Sequence, residues 1–161
     1  RQQAAAAARE RPRGAAAPSP QPAAAPVTLP ASRPGGRAMP VAGQLLRGFG
    51  AAEEGGGTTR GLTWQAAPGA RVVSPCAGRV AFAAPFRSYG QLVILDCGEG
   101  QHFVLAGLGR LDVAAGQRVL AGEPVGQLAA AAGRARPTLY GELRLRGQPV
   151  DPGPWLSGRG G

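Results

Sequence analysis

Apolar and polar positions alternate along residues 137–145, which read P-T-L-Y-G-E-L-R-L. The odd positions are apolar or small, namely Leu139, Gly141, Leu143 and Leu145, and the even positions are polar, namely Thr138, Tyr140, Glu142 and Arg144. A period of two is typical of a half-buried β-strand. The pattern predicts one strand face in a core and one face that presents a hydroxyl, a phenol, a carboxylate and a guanidinium.

Similar short apolar segments, separated by glycine and proline, follow one another from residue 62 onward. We expect strands at residues 62–65, 71–74, 78–84, 91–96, 102–108, 118–120, 125–128 and 139–146. Strands this short and closely spaced, without helical stretches, predict an all-β antiparallel domain. Residues 68–80 and 114–128 repeat in character, with a small strand on either side of a glycine turn, which is typical of barrel-sandwich folds.

The chain before this region has a different composition. Residues 1–38 are rich in Ala, Pro and Arg and lack a periodic apolar pattern, so they are predicted to be a disordered linker. Residues 39–50 form a connecting segment, and residues 51–58 form a glycine-rich loop. The folded domain is predicted to span residues 39–157, followed by a flexible end at 158–161. The chain begins at Arg1, without methionine, which indicates a mature form or a fragment.

The net charge of +9 is concentrated in the tail. All 18 basic residues are arginine, and residues 1–47 carry seven of them against one acid. A basic, proline-rich tail can contact nucleic acid or anionic lipid. The folded region lacks the aromatic platforms and basic stripe of a nucleic-acid binder, so the tail is interpreted as a solvated linker and no nucleic-acid partner is expected.

Common catalytic signatures are absent from the sequence. Without lysine there is no P-loop, and no serine lies in a nucleophile-elbow context. The single histidine, His102, has no second zinc ligand near it at the usual spacing, which favours a structural role over that of a base or ligand. For Cys76 and Cys97 a zinc pair, a disulfide and two buried thiols are all open, with buried thiols favoured first and a disulfide next.

Four stretches carry a resemblance to a known family, namely residues 67–83, 88–98, 113–128 and 137–156. Over residues 39–156 their order resembles the LytM or lysostaphin-type zinc metallopeptidases, which are bacterial cell-wall endopeptidases. More closely, the chain resembles their degenerate EnvC-type relatives, the murein hydrolase activators. The resemblance implies an antiparallel LytM-type, barrel-sandwich-like fold.

In active members of that family, zinc is held by the first His and the Asp of H-x-x-x-D and by the last His of H-x-H. Carried onto this sequence, these positions are Thr59, Thr63 and Tyr140, while the two other histidines fall on Gly107 and Thr138. The resemblance therefore implies a non-enzyme with no catalytic residue, no metal and no cofactor. His102 lies five residues before Gly107, an odd offset that is predicted to turn it to the opposite strand face.

The resemblance further implies that the former substrate groove binds a zinc-dependent N-acetylmuramoyl-L-alanine amidase and relieves its autoinhibition. The expected groove residues are Tyr140, Arg144, Thr138, Glu142, Thr59, Thr63 and Gly107, with Tyr89 on a rim loop at residues 88–91. Tyr140 and Arg144 are the first candidates, because Tyr and Arg are frequent interface anchors. The alternative is that Tyr140 only fills the space left by the metal and Arg144 pairs with Glu142 or solvent.

The implied location is the periplasm of a Gram-negative bacterium, at the division septum. Peptidoglycan is a further candidate partner, as is a division-associated membrane transporter complex reached through a coiled coil. This chain contains no heptad run, so we expect that part to precede Arg1 or the coupling to differ. Two other functions remain open: a peptidoglycan-binding module, and a residual zinc endopeptidase with unusual ligands.

Overall fold

The computed structural model of the chain describes residues 36–130 and 136–157, which form an antiparallel β structure. Its elements in chain order are β1 (Gly43–Arg47), β2 (Leu62–Ala66), β3 (Arg71–Val73), β4 (Gly78–Pro85), a 3₁₀ turn (Arg87–Tyr89), β5 (Gln91–Gly98), β6 (Gln101–Leu111), β7 (Arg118–Val119), β8 (Pro124–Leu128), β9 (Thr138–Leu145), β10 (Gln148–Val150) and α1 (Pro152–Leu156). The predicted all-β antiparallel class is confirmed.

The strands are arranged in the order β1-β2-β9-β6-β5-β4-β7. Strand β8 pairs with β3 and β6, and β10 pairs with β9. Strand β9, which shows the alternation described above, therefore lies in the middle of the sheet between β2 and β6. This central position fixes the direction in which its side chains point.

All eight strands expected from the sequence are present, with ends displaced by a few residues at most. Two strands and the helix were not predicted. Every residue of β1 is exposed, so it shows no apolar alternation, and β10 is a three-residue strand that contains proline. The single turn of α1 is too short to show helical periodicity. Leu145, expected in the core, is instead 38% exposed because it ends β9 beside a turn.

The C-terminal turn is fixed on the domain by its cap and by Trp155. Asp151 accepts a hydrogen bond from the backbone N–H of Gly153 at 2.9 Å, and Pro152 occupies the first helical turn, as is common in capped helices. The indole of Trp155 stacks on Phe103 with ring centroids 5.5 Å apart and donates to Oε1 of Gln101 at 2.6 Å. The buried tryptophan thus joins α1 to β6.

Cys76 and Cys97 form a disulfide, with Cα atoms 5.8 Å apart. The favoured prediction of two buried thiols is therefore wrong, and the second alternative is correct. Sequence spacing could not decide between them, because the pairing depends on how the segment before β4 approaches the end of β5. Disulfides are formed and maintained in oxidising compartments.

The predictions for the chain termini fall mostly on residues outside the described part. Of the expected linker only residues 36–38 are described, and there Arg37 pairs with Cys76 in an isolated β-bridge while its guanidinium lies 4.1 Å from the centre of the Trp155 ring. The expected flexible end at 158–161 also lies outside. Within the described residues, no helix has the length and apolar character needed to cross a membrane.

Replacing both cysteines by alanine is expected to lower the free energy of unfolding by about 2–4 kcal/mol, because the disulfide closes a loop of 21 residues. Urea unfolding followed by tryptophan fluorescence measures this, since Trp64 and Trp155 are buried. Dithiothreitol should shift the wild-type midpoint towards that of the double variant and leave the variant unchanged. Equal midpoints with and without reductant in the wild type would contradict a stabilising disulfide.

Candidate functional site

An open groove with a volume of about 1280 Å³ lies on one face of the sheet. Its floor is formed by the neighbouring strands β4, β5, β6 and β9. In the central part of β5 and β6 the odd-numbered side chains Val93, Leu95, Phe103 and Leu105 are completely buried in the core. The even-numbered side chains of these strands face the groove, because successive residues of a strand point to opposite faces.

Strand pairing arranges the floor in three transverse rows. The rows are His102 and Arg144; Phe82, Ile94, Val104 and Glu142; and Leu92, Ala106 and Tyr140. With about 4.8 Å between strands, the floor from β4 to β9 is about 14 Å wide. It is apolar on β5 and polar on β9.

A hydrogen-bonded chain of three side chains forms the polar side of the floor. Tyr140 donates its phenol hydrogen to Oε1 of Glu142 at 2.7 Å, and Arg144 donates from Nε to Oε2 of the same carboxylate. The Glu142 side chain is only 9% exposed, whereas that of Arg144 is 42% exposed. Glu142 therefore acts as an internal acceptor that holds a phenol and a guanidinium at the groove surface.

The phenol of Tyr140 is held in its neutral form. Burial is the main cause that raises its pKa, and the hydrogen bond to Glu142 and the negative charge of that carboxylate raise it further. Its ring also lies directly against the backbone of Gly61, where an added Cβ would come within 2.9 Å of Cζ and Oη. Tyr140 is thus a neutral phenol in a fixed position, whose hydrogen is donated to Glu142 and whose oxygen can still accept a hydrogen bond.

Two walls rise from this floor. One is the glycine-rich loop, which contributes Glu53, Gly56, Gly57, Thr58 and Arg60. That loop is closed by a hydrogen bond from the backbone N–H of Glu53 to the carbonyl of Gly57 at 3.1 Å. The opposite wall is aromatic and consists of Phe82, Phe86 and Tyr89.

The structure places four of the eight predicted groove residues in the lining, namely Tyr140, Glu142, Arg144 and Tyr89. Thr59 is buried below the surface, where its hydroxyl donates to the carbonyl of Gly48 and accepts from the N–H of Ala51. Thr63 lies beside Tyr140, and Thr138 is exposed at the start of β9. None of these threonines lines the groove. The binding roles assigned to the eight residues remain predictions.

Gly107, the last of the eight, interrupts β6 as a β-bulge. Its φ is +103°, and the pairing with β5 moves from Ala106 to Leu108 without a partner for Gly107. The extra residue shifts the alternation of the strand. His102 therefore faces the groove opposite Arg144, and the prediction that it points to the other face is wrong.

Sequence reasoning also missed the apolar part of the lining: Phe82, Phe86, Leu92, Ile94, Val104 and Ala106. A second bulge explains one of these, because the pairing of β4 moves from Val80 to Phe82 and skips Ala81. Simple alternation would place Val80 and Phe82 on one face, whereas Val80 is buried in the core and Phe82 lines the groove. The even-numbered residues of β5 and β6 could have been found by applying the same two-residue alternation to these strands as to β9.

The sequence and the fold are similar to those of one protein family. The sequence model of peptidase family M23 matches residues 57–152, and the chain belongs to this family. It is 34% identical over 124 residues to the murein hydrolase activator EnvC of Escherichia coli (strain K12), and 31% identical over 129 residues to the cell division protein DipM of Caulobacter vibrioides (strain NA1000 / CB15N). Each match covers 76% of this chain.

The solution structure of lysostaphin has the same fold, with a TM-score of 0.64 at 20% sequence identity over 73% of this chain and 51% of lysostaphin. This chain spans 30% of the length of EnvC and 21% of that of DipM. The resemblance to LytM-type domains and to EnvC-type relatives is confirmed.

The residues at the positions that the resemblance assigns to zinc do not fit the metal. The hydroxyl of Thr59 is fully engaged with backbone groups, and the phenol of Tyr140 donates to Glu142. Zinc sites in proteins use His, Cys, Asp or Glu ligands. In residues 36–130 and 136–157 no three side chains of these types are grouped so that they could hold a metal ion.

The raised pKa of Tyr140 predicts a loss of stability in alkali. The neutral phenol is favoured in the folded state, so the stabilisation is complete below the unfolded pKa of about 10 and declines as pH rises above it. Tyr140→Phe should remove this part of the decline. Urea unfolding of both proteins between about pH 9 and about pH 11 tests the effect. Parallel curves for the two proteins would show that Tyr140 does not cause it.

Proposed function

We propose that this chain is a non-catalytic activator of cell-wall amidases. In this proposal the groove binds an N-acetylmuramoyl-L-alanine amidase, relieves its autoinhibition and so promotes the splitting of septal peptidoglycan. The observation that carries the proposal is the Tyr140–Glu142–Arg144 chain in an open groove. Within this chain the half-exposed guanidinium of Arg144 is held by Glu142 and still presents N–H donors to solvent, which suits it to recognition.

The chemistry of the site supports binding over hydrolysis. A zinc peptidase needs a metal to activate water and polarise the scissile carbonyl, and the residues at the inferred ligand positions do not supply its ligands. A phenol oxygen that can accept a hydrogen bond and a guanidinium with further N–H donors are both held by the buried carboxylate, so their geometry is set before a partner arrives. Such preorganisation reduces the entropy lost on binding.

The similarity to EnvC supports the choice of partner class, since EnvC is named a murein hydrolase activator. The similarity to DipM, which is named a cell division protein, supports a role at the septum. The Cys76–Cys97 disulfide supports the periplasm as the location, because that compartment is oxidising. A link to a membrane transporter complex would need a segment beyond the matched part of the relatives.

A peptidoglycan-binding module is the second candidate. An exposed aromatic side chain such as Tyr89, in the same groove as the hydrogen-bonding groups of Tyr140 and Arg144, is also suited to sugars or stem peptides. Sedimentation with purified sacculi separates the two functions. Strong binding to sacculi without stimulation of any amidase would favour the module over the activator.

Arg144→Ala is expected to weaken amidase binding by about 1–3 kcal/mol, because truncation of an interface anchor removes directed donors and buried area. Isothermal titration of a purified amidase from the same organism measures the loss. Arg110→Ala is the matched control, since Arg110 also pairs with an acid two residues away, Asp112, but lies outside the groove lining.

Tyr140→Phe should also weaken binding, since it keeps the ring but removes the hydroxyl. The hydrogen of that hydroxyl helps to position Glu142, and its oxygen can accept a hydrogen bond from the partner. Both groove variants should have a lower urea midpoint than the wild type, because each removes a partner of the buried Glu142 carboxylate. Binding is therefore compared at a temperature at which circular dichroism shows that both variants are folded. If they bind as tightly as Arg110→Ala, then Tyr140 only fills space and Arg144 only pairs with Glu142, and the groove is not the docking site.

A further inference from the structure

Three aromatic rings form the wall of the groove opposite the glycine-rich loop, on the side away from the Tyr140–Glu142–Arg144 chain. Phe82 and Phe86 meet edge to face with centroids 6.1 Å apart, and Phe86 stacks on Tyr89 at 6.0 Å. We call Phe82, Phe86 and Tyr89 the aromatic ridge. Two of its rings are exposed to solvent, Phe86 by 38% and Tyr89 by 55%. Exposed, clustered aromatic side chains are typical of binding surfaces.

The loop that carries the ridge has a defined backbone. The N–H of Phe86 donates to the carbonyl of Gly90, and the N–H of Tyr89 donates to the carbonyl of Phe86, both at 3.0 Å. Between them Arg87 adopts a positive φ of 51°, which is uncommon for a residue with a side chain. Its guanidinium lies 5.2 Å from the centre of the Phe86 ring. Backbone strain of this kind persists where surrounding contacts hold it and is often found at functional sites.

The ridge is connected to the polar chain across the floor. The row Phe82, Ile94, Val104 and Glu142 runs from β4 to β9, so an apolar strip about 14 Å wide ends at the carboxylate that holds Tyr140 and Arg144. Because the Glu142 carboxylate is buried, the charge that the Tyr140–Glu142–Arg144 chain offers to a ligand is the half-exposed guanidinium of Arg144, and the wall beside it carries one acid, Glu53, and one base, Arg60. The groove thus offers an apolar contact and a cationic contact at opposite sides.

We propose that the aromatic ridge is a second, separable anchor of the docking groove, which receives an apolar side chain of the amidase while Arg144 receives an acidic or carbonyl group of the same segment. This inference rests on the proposed function and deepens it. The occupant is inferred from complementarity. A single protein segment can supply both an apolar side chain for the ridge and an acidic group for Arg144 across a floor about 14 Å wide. The ridge then selects partners by apolar contact, independently of the polar chain.

The test compares Phe86→Ala with Phe49→Ala in the full chain. Phe49 is a matched control because it is also 38% exposed but does not line the groove. Titration calorimetry uses a purified N-acetylmuramoyl-L-alanine amidase from the same organism. Phe86→Ala should weaken binding by about tenfold or more and make the heat capacity change of binding less negative, because burial of apolar surface is lost. Phe49→Ala should bind like the wild type.

Salt separates the two anchors. The loss of affinity caused by Phe86→Ala should be the same at low and high salt, whereas the loss caused by Arg144→Ala should shrink as salt screens its charge.

The outcomes distinguish this inference from the proposed function. Suppose that the wild type binds the amidase, that Arg144→Ala weakens this binding and that Phe86→Ala binds like Phe49→Ala. Then the ridge is not an anchor, and only this inference is overturned. If wild type does not bind, the proposed function fails and the inference fails with it. Loss of sacculus binding in Phe86→Ala, with amidase binding unchanged, would assign the ridge to glycan instead.

Discussion

The site depends on one buried carboxylate. Glu142 lies in the central strand β9, is 7% exposed, and accepts hydrogen bonds from Tyr140 and Arg144. A buried charge is tolerated only when it is paired and hydrogen-bonded, so the positions of all three side chains are mutually determined. The fixed phenol, the oriented guanidinium and the apolar strip beside them follow from this arrangement. The same interaction supports the proposed role in recognition, because the buried carboxylate is already used internally and the guanidinium remains at the surface.

Much of the fold could be predicted from the sequence, for identifiable reasons. In strands with one buried face, apolar and polar residues alternate visibly in the sequence. Strand β9 is the clearest case, with Leu139 and Leu143 buried and Tyr140 and Arg144 at the groove. Elements without such a contrast could not be found. Strand β1 is exposed throughout, and α1 consists of one turn whose position depends on contacts of Trp155 with Phe103 and Gln101.

The candidate site was less predictable than the fold, because two β-bulges change which residues reach it. Ala81 and Gly107 each add one residue to a strand, so alternation read along the sequence is out of phase on one side of each bulge. For this reason Phe82 and His102 face the groove contrary to their apparent pattern. The carried-over positions were also misleading for Thr59, whose hydroxyl is engaged with the backbone below the surface.

The bulge at Gly107 restricts which residue this position can hold. The resemblance to the metallopeptidases assigns a catalytic histidine to this position, but the backbone now has a φ of +103°, and an added Cβ would lie 2.8 Å from the carbonyl oxygen of Thr138. Side chains rarely tolerate such a conformation or such a contact. Gly107→His would therefore require the pairing of β6 and β9 to be rebuilt. A side chain at this position therefore cannot be introduced by substitution alone, because the backbone of β6 would have to change with it.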